Sequence, residues 1–277
     1  MIVDAHVHLV SADGARYPRR PGGDGTWWER AYEVDDLERD LRAGEVAGAV
    51  VVQAVSPYGH DCRMAADAVA GQERLALVAS VDMAAPDPVA SFERLRATTA
   101  LAGLRLFGVA DGAQWLIDGS AEAVWEAAAG TGCVLVPTLF PDALPALRRV
   151  VEAHPAVPVA LDHCAFPDFG GLDAIDRLCA LADLPAVHLK VTSHNLDSHA
   201  PAAPGDPSGF VDTLIAAFGA SRVCWGSDHP QHQGRTYTEK VDLAHRAARN
   251  LTPTDRALFL GGTAARLWPT PATTTST

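Results

Sequence analysis

Eight short runs rich in β-branched and apolar residues, each followed by a stretch of helical periodicity, constrain this chain more than any other feature of its 277 residues. The runs are Ile2–Leu9, Ala49–Val55, Leu75–Asp82, Gly103–Gly108, Cys133–Leu139, Val157–Cys164, Val187–Ser193 and Arg222–Asp228. Between them lie amphipathic patterns such as Asp35–Ala43, Asp61–Ala70, Pro88–Thr98, Ala121–Ala129, Pro141–Ala153, Gly171–Leu181 and Pro207–Phe218. Strand and helix alternating eight times imply a parallel sheet, and its natural closure is a (β/α)8 TIM barrel. The reading is therefore an α/β fold with one domain over residues 1–268. The Thr- and Pro-rich segment 269–277 lacks an apolar pattern and is expected to be a disordered tail. The first connection, Val10 to about Val34, is long enough to predict a lid or substrate loop.

Charge narrows the partners. With 34 acidic against 22 basic side chains, the net −12 argues against nucleic acid or an anionic membrane and leaves a small molecule as the expected partner. The longest apolar run, Val46 to Val55, is too short to span a bilayer, and no charged leader precedes Ile2, so a cytoplasmic location is expected. A homo-oligomer remains open. Five cysteines without Cys-x-x-Cys spacing fit neither a disulfide framework nor a thiolate zinc site. Glycine-rich nucleotide loops and a Gly-x-Ser-x-Gly elbow are absent, which removes support for dinucleotide, ATP and serine-hydrolase chemistry.

The chemistry-bearing residues gather at strand ends. Alternation along the first strand predicts Asp4, His6 and His8 inside the barrel, with Val3, Ala5 and Val7 against the helices. Asp228 ends the eighth strand, the neighbour of the first in a closed barrel, and can serve as general base, metal ligand or turn cap. His163 ends the sixth strand. On the seventh, His188, Lys190, Thr192 and His194 alternate with apolar residues and should point inward. Lys190 and Arg105, on the fourth strand, are costly inside a barrel unless they bind an anion or pair with a carboxylate such as Asp162 or Asp228.

Together these segments resemble the amidohydrolase superfamily. Asp4-Ala-His6-Val-His8 resembles its His-x-His signature and Trp225-Gly-Ser-Asp228 its strand-eight aspartate motif. Asp162-His163-Cys-Ala-Phe-Pro-Asp168 and His188-Leu-Lys190-Val-Thr-Ser are similar to the branch that contains 2-pyrone-4,6-dicarboxylate lactonase and sugar-acid lactonases. Arg16-Tyr17-Pro-Arg19-Arg20-Pro is similar to a substrate loop of that branch. The resemblance implies a lactonase acting on a small, carboxylated lactone, with Asp228, His163, His6 and His8 catalytic. Substrate contacts would fall to Arg105, Lys190, Arg19, Arg20, Tyr17 and His194. Strand five offers Thr138 where metal-dependent relatives carry His, so a binuclear site is not expected. Two options remain: no metal, or one divalent ion such as zinc on His6, His8 and Asp228. A non-oxidative decarboxylase and a non-catalytic barrel that binds a small acid are the alternatives.

Overall fold

The computed structural model describes residues 1–20, 27–199 and 206–274. Its centre is one parallel sheet of eight strands in sequential order: β1 Val3–Val7, β2 Gly48–Val52, β3 Leu75–Ser80, β4 Leu101–Phe107, β5 Val134–Thr138, β6 Val159–Leu161, β7 Val187–Thr192 and β8 Val223–Gly226. The ring closes where β8 meets β1. There Asp228 N–H donates to His6 O and His8 N–H to His229 O, both at 2.8 Å. This is the (β/α)8 barrel read from the alternation, with helices such as Val34–Ala43, Pro88–Thr98, Leu144–Ala153 and Ser208–Phe218 outside it. No helix among the described residues is long and apolar enough to cross a membrane.

Two apolar layers account for the two faces of each strand. Leu77, Leu104, Leu106, Leu135, Val159, Leu189 and Val191 pack outward against the helices. Val3, Ala5, Val50, Val52, Val78, Val134, Val136, Ala160 and Cys224 form a separate interior cluster, closed below by Trp268. The expected phase of β1 therefore needs correction. Val3 and Ala5 point inward and Asp4 points out, where Tyr237 Oη on the helix Tyr237–Ala247 donates to its Oδ2 at 3.0 Å. A register irregularity between Asp4 and Val7 then returns His6 and His8 to the inside. Asp4 sustains that irregularity by accepting the backbone N–H groups of His6 at 3.0 Å and Ser227 at 2.8 Å.

Two further expectations change. The sixth strand stops at Leu161, and His163, Cys164, Ala165 and Phe166 all take positive φ between 49° and 59°. Of the segment 269–277, residues Pro271–Thr274 form a helical turn with Thr270 and Thr273 buried, so these residues are ordered; 275–277 lie outside the described residues. Thr270 and Thr273 cap each other's backbone, which replaces the apolar pattern that a longer helix would need. All five cysteines are free, four of them buried.

The β1–β8 seam gives a direct test. A Cβ added at Gly226 would stand 2.7 Å from His6 Cβ and 3.0 Å from His6 N, closer than packed atoms allow. Gly226→Ala should cost about 1–3 kcal/mol, the usual price of overpacking, read from thermal or urea unfolding. Wild-type stability in that variant would show that the seam has slack.

Candidate active site

One buried carboxylate organises the barrel interior above the apolar layers. Asp162, just past β6, holds Lys190 Nζ at 2.9 Å and His6 Nδ1 at 3.2 Å through Oδ1. Through Oδ2 it accepts from Thr138 Oγ1 at 2.8 Å and pairs with Arg105 Nε at 3.2 Å. Arg105 also donates to Thr138 Oγ1 and to the Gln53 carbonyl, both at 2.9 Å. Lys190 in turn stands 5.3 Å over the Trp268 ring. Burial alone would raise the Asp162 carboxyl, but Lys190, His6 and Arg105 hold it well below the usual carboxylate range.

Above this layer His6, His8, His163 and Asp228 converge, all nearly inaccessible to solvent. His6 Nε2 lies 3.1 Å from His8 Nε2 and 3.8 Å from Asp228 Oδ1, and His8 Nε2 lies 3.5 Å from that same oxygen. The His163 ring is 4.9 Å from that of His6. His163 reaches this position through the left-handed turn, a conformation costing roughly 1–2 kcal/mol for each non-glycine residue. The turn is anchored where Asn195 Nδ2 and the Phe166 N–H both donate to the His163 carbonyl at 2.8 Å.

The partners of the ring nitrogens fix the tautomers. His8 Nδ1 faces the Val52 carbonyl at 2.8 Å, which can only accept, so Nδ1 carries the proton. His6 Nδ1 faces the ionised Asp162 and must also be protonated. His163 Nδ1 meets Thr192 Oγ1 at 2.8 Å, and that hydroxyl donates to Asn195 Oδ1, so Nδ1 donates again. All three Nε2 atoms are left with bare lone pairs, and the centre consists of acceptors only. Burial, reinforced by Lys190, pushes His6 well below its ordinary value. Burial likewise lowers His163 to about 4. Burial would raise the Asp228 carboxyl, and only a proton donated by His8 or positive charge on His163, His6 and His8 would lower it; with the three rings neutral that role falls to a cation placed among them.

Acceptors this close repel unless a positive charge lies among them. A four-coordinate ion with bonds of about 2.0–2.1 Å needs ligand atoms about 3.4 Å apart, and the observed spacings of 3.1–3.8 Å match. Asp228 Oδ1 is buried without a hydrogen-bond donor, as a ligand atom should be. His6, His8 and Asp228 therefore fit one divalent cation, with Asp162 and the Val52 carbonyl orienting the two imidazoles from behind. His6, Asp162 and His163 also cluster, but both Asp162 oxygens are engaged by Lys190, Arg105 and Thr138, which leaves no second cation site there.

Several residues expected to bind substrate are occupied elsewhere. Arg105 and Lys190 are enclosed by Asp162 and cannot grip a substrate carboxylate without stripping a buried carboxylate of its cations. Tyr17 donates to Asp67 on the outer helix Arg63–Val69 at 2.7 Å, away from the centre. Arg19 is spent on the carbonyls of Trp28 and Ser11, at 2.6 and 2.8 Å. Arg20 lies against Gly59 beside His60 at the mouth. His194 sits in the helix Ser193–Ser198 rather than on β7 and bonds Asp168 at 2.8 Å. Of the first connection, residues 21–26 lie outside the described residues, while Trp27 packs over His8 with ring centres 5.5 Å apart. Thr192, Asn195, Gln53 and Trp27 also stand around the centre, none of them among the expected catalytic or substrate-binding residues, and Asn195 carried no sequence signal at all. Only the apolar and polar alternation on β7 hinted at Thr192.

The sequence matches the Amidohydrolase family over residues 3–270, and the chain belongs to that family. It is 28% identical over 282 residues to the L-fucono-1,5-lactonase of Burkholderia ambifaria, an alignment covering 96% of this chain and 94% of the relative. An amidohydrolase from Burkholderia multivorans, crystallised with bound zinc, is 26% identical with a TM-score of 0.78, covering 98% of this chain and all of that one. A candidate 2-pyrone-4,6-dicarboxylic acid hydrolase from Pseudomonas putida shares the fold at 22% identity and a TM-score of 0.74, covering 96% of both chains.

Two outcomes test the electrostatics. Asp162→Asn leaves Lys190 and Arg105 buried without their counter-ion and should destabilise the fold by about 3–5 kcal/mol in urea titration; a loss under about 1 kcal/mol would show the hub to be dispensable. For pH, an unfolded histidine protonates near 6.5, whereas folded His163 does so only near 4 and His6 lower still. Acid thus favours the unfolded chain. Stability of the metal-free protein should fall from pH 6.5 toward 4, by about 1.4 kcal/mol per pH unit for each such group. The depressed carboxylates begin to contribute only below their unfolded value near 3.8. A flat urea midpoint across that window would contradict neutral buried imidazoles.

Proposed function

We propose that this amidohydrolase opens a small lactone by attack of water on the ring carbonyl. The observation that carries the reading is the acceptor-only centre of His6, His8, His163 and Asp228 at the barrel mouth, where enzymes of this fold place their chemistry. The 28% identical L-fucono-1,5-lactonase supports it from the side of reaction type.

His6, His8 and Asp228 would hold one divalent ion, with zinc suited to two imidazole nitrogens and a carboxylate. When bound, such an ion supplies Lewis acidity toward a carbonyl oxygen and a lowered pKa for water. The remaining work belongs to side chains. Asp228, held ionised, accepts the proton from water as the new C–O bond forms. The bond between carbonyl carbon and ring oxygen then breaks, and the ring oxygen takes back from Asp228 the proton it had accepted, which leaves a hydroxy acid and regenerates the base. His163, neutral with a bare Nε2, orients the attacking water as a hydrogen-bond acceptor. Neutral imidazoles with bare Nε2 atoms cannot donate to a developing oxyanion. Polarisation by the histidines alone therefore has little support, and the metal-bearing form is the better reading. A buried cluster this demanding also makes a non-catalytic binding barrel the poorer account.

Asp228→Asn keeps the size of the side chain and removes its basicity. Lactone hydrolysis should fall by about 10²–10⁴-fold, or further with the loss of a ligand, while the fold persists by circular dichroism. Elemental analysis of the wild type should find close to one zinc or related ion per chain, removable by chelator together with the activity. More than about a tenth of wild-type hydrolysis in the variant would sink the assignment of the base. Release of CO₂ from an aromatic acid, with lactones untouched, would replace the reading by a decarboxylase.

A further inference from the structure

Above the reaction centre stands a second group of imidazoles that the hydrolytic step does not use. His194 Nε2 bonds Asp168 Oδ2 and His232 Nε2 bonds Asp197 Oδ2, each at 2.8 Å. The two rings face each other 6.0 Å apart at 89°. Asp197 is held in turn by Arg235, whose Nε lies 3.0 Å from Oδ2. All four paired side chains are between 18% and 29% exposed, so they face the mouth without dissolving into solvent.

This group is built into the same frame as the centre. His194 and Asp197 share one face of the helix Ser193–Ser198, three residues apart. That helix starts on a capping box of Thr192 and Asn195, the two residues that also fix His163. The fully buried Lys240 donates to the His232 carbonyl at 2.5 Å and pins the other imidazole from below. Phe166 stacks on His163 at 4.4 Å and meets the His194 ring at 5.6 Å, while Phe169 lies parallel to His194 at 6.1 Å. His194 is therefore one aromatic ring beyond His163, within reach of the substituents on a six-membered lactone.

The hydrogen-bonding capacity of the wall selects a chemistry. A neutral imidazole that donates Nε2–H to a carboxylate keeps an Nδ1 lone pair, an acceptor for O–H. Asp168 and Asp197 against Arg235 and Lys240 leave this sector without net charge, and both cations are already committed, Arg235 to Asp197 and Lys240 to the His232 carbonyl, so the wall offers acceptors for a hydroxyl and no free cation for a carboxylate. The phenyl faces of Phe166 and Phe169 offer an apolar surface for a C–H face. We propose that the pairs His194–Asp168 and His232–Asp197 are specificity-determining residues that select an uncharged, polyhydroxylated lactone over an anionic one. The proposal rests on the lactonase reading and replaces the carboxylate grip expected of Arg105 and Lys190.

The test compares kcat/KM for the best of a panel of stereoisomeric hexono- and 6-deoxyhexono-1,5-lactones with kcat/KM for δ-valerolactone and for a carboxylated six-membered lactone. Wild type should prefer the hydroxylated substrate to both by at least about tenfold, the worth of one good hydrogen bond. In His194→Gln and His232→Gln that preference over δ-valerolactone should shrink by at least about tenfold, mainly through KM. Asp168→Asn serves where a histidine variant fails to fold. A merely structural role would lower both rates together and leave the ratio unmoved, which would overturn the proposal while lactone hydrolysis stands. A preference for the carboxylated lactone would overturn it equally. Hydrolysis of no lactone at all would remove the reading beneath it instead.

Discussion

A carboxylate with no access to water, surrounded by two permanent cations and an imidazole, sets the conditions for everything above it in this barrel. Asp162 cannot be exchanged for a neutral group without leaving Lys190 and Arg105 uncompensated in an apolar interior. The three charges do not cancel. One carboxylate against two cations leaves an excess of one positive charge, and the next anion in the stack is Asp228, which Arg105 also feels. Lys190 thus opposes protonation of His6 while Arg105 attracts the charge of Asp228, which together favour the protonation pattern that a metal ligand set and a general base both require.

The same economy appears in how His163 is held. Four successive left-handed residues would be untenable in a free loop, and here they are over-determined by Asn195, Thr192 and the stacking of Phe166 on the imidazole. Because Thr192 and Asn195 begin the helix that presents His194 and Asp197, the reacting centre and the mouth share one anchor. A displacement of that helix would move catalytic and recognition groups together. Specificity and rate in such an arrangement are mechanically linked, and substitutions in the helix start should be read with that in mind.

How far the sequence reaches follows from what periodicity can encode. The eight strands and most helices were legible because a two-residue alternation and a helical period are written directly in the apolar residues. On β7 and β4 the alternation also gave the correct inside face for Lys190 and Arg105. Pairing with Asp162 or Asp228 is one reading of that placement and a bound anion the other, and alternation, which carries no information about charge pairing, could not choose between them; Asp162 is the partner of both. On β1 the alternation misled: a register irregularity at Asp4 shifts the phase by one residue, and no composition signal marks it. The left-handed turn at His163 was equally hidden, because His, Cys, Ala and Phe announce no such conformation where Gly would have. The convergence of His6, His8, His163 and Asp228 was readable from barrel topology, whereas His232–Asp197 joins residues 35 apart in sequence that no motif connects.

The surroundings of the three imidazoles fix the direction of each proton, which the motif leaves open. A His-x-His pair with a distant Asp is compatible with oxyanion stabilisation by imidazole N–H groups, with base catalysis, or with a metal. The backs of the rings choose among them. Asp162, the Val52 carbonyl and the Thr192 hydroxyl each demand Nδ1–H, which strips every inward Nε2 of its proton as long as the rings are neutral. Restoring donors to the centre would require protonating imidazoles that burial holds neutral, with two further cations one layer below. A cation held by ligands costs no such protonation, and it converts the mutual repulsion of His6, His8 and Asp228 into the force that positions them.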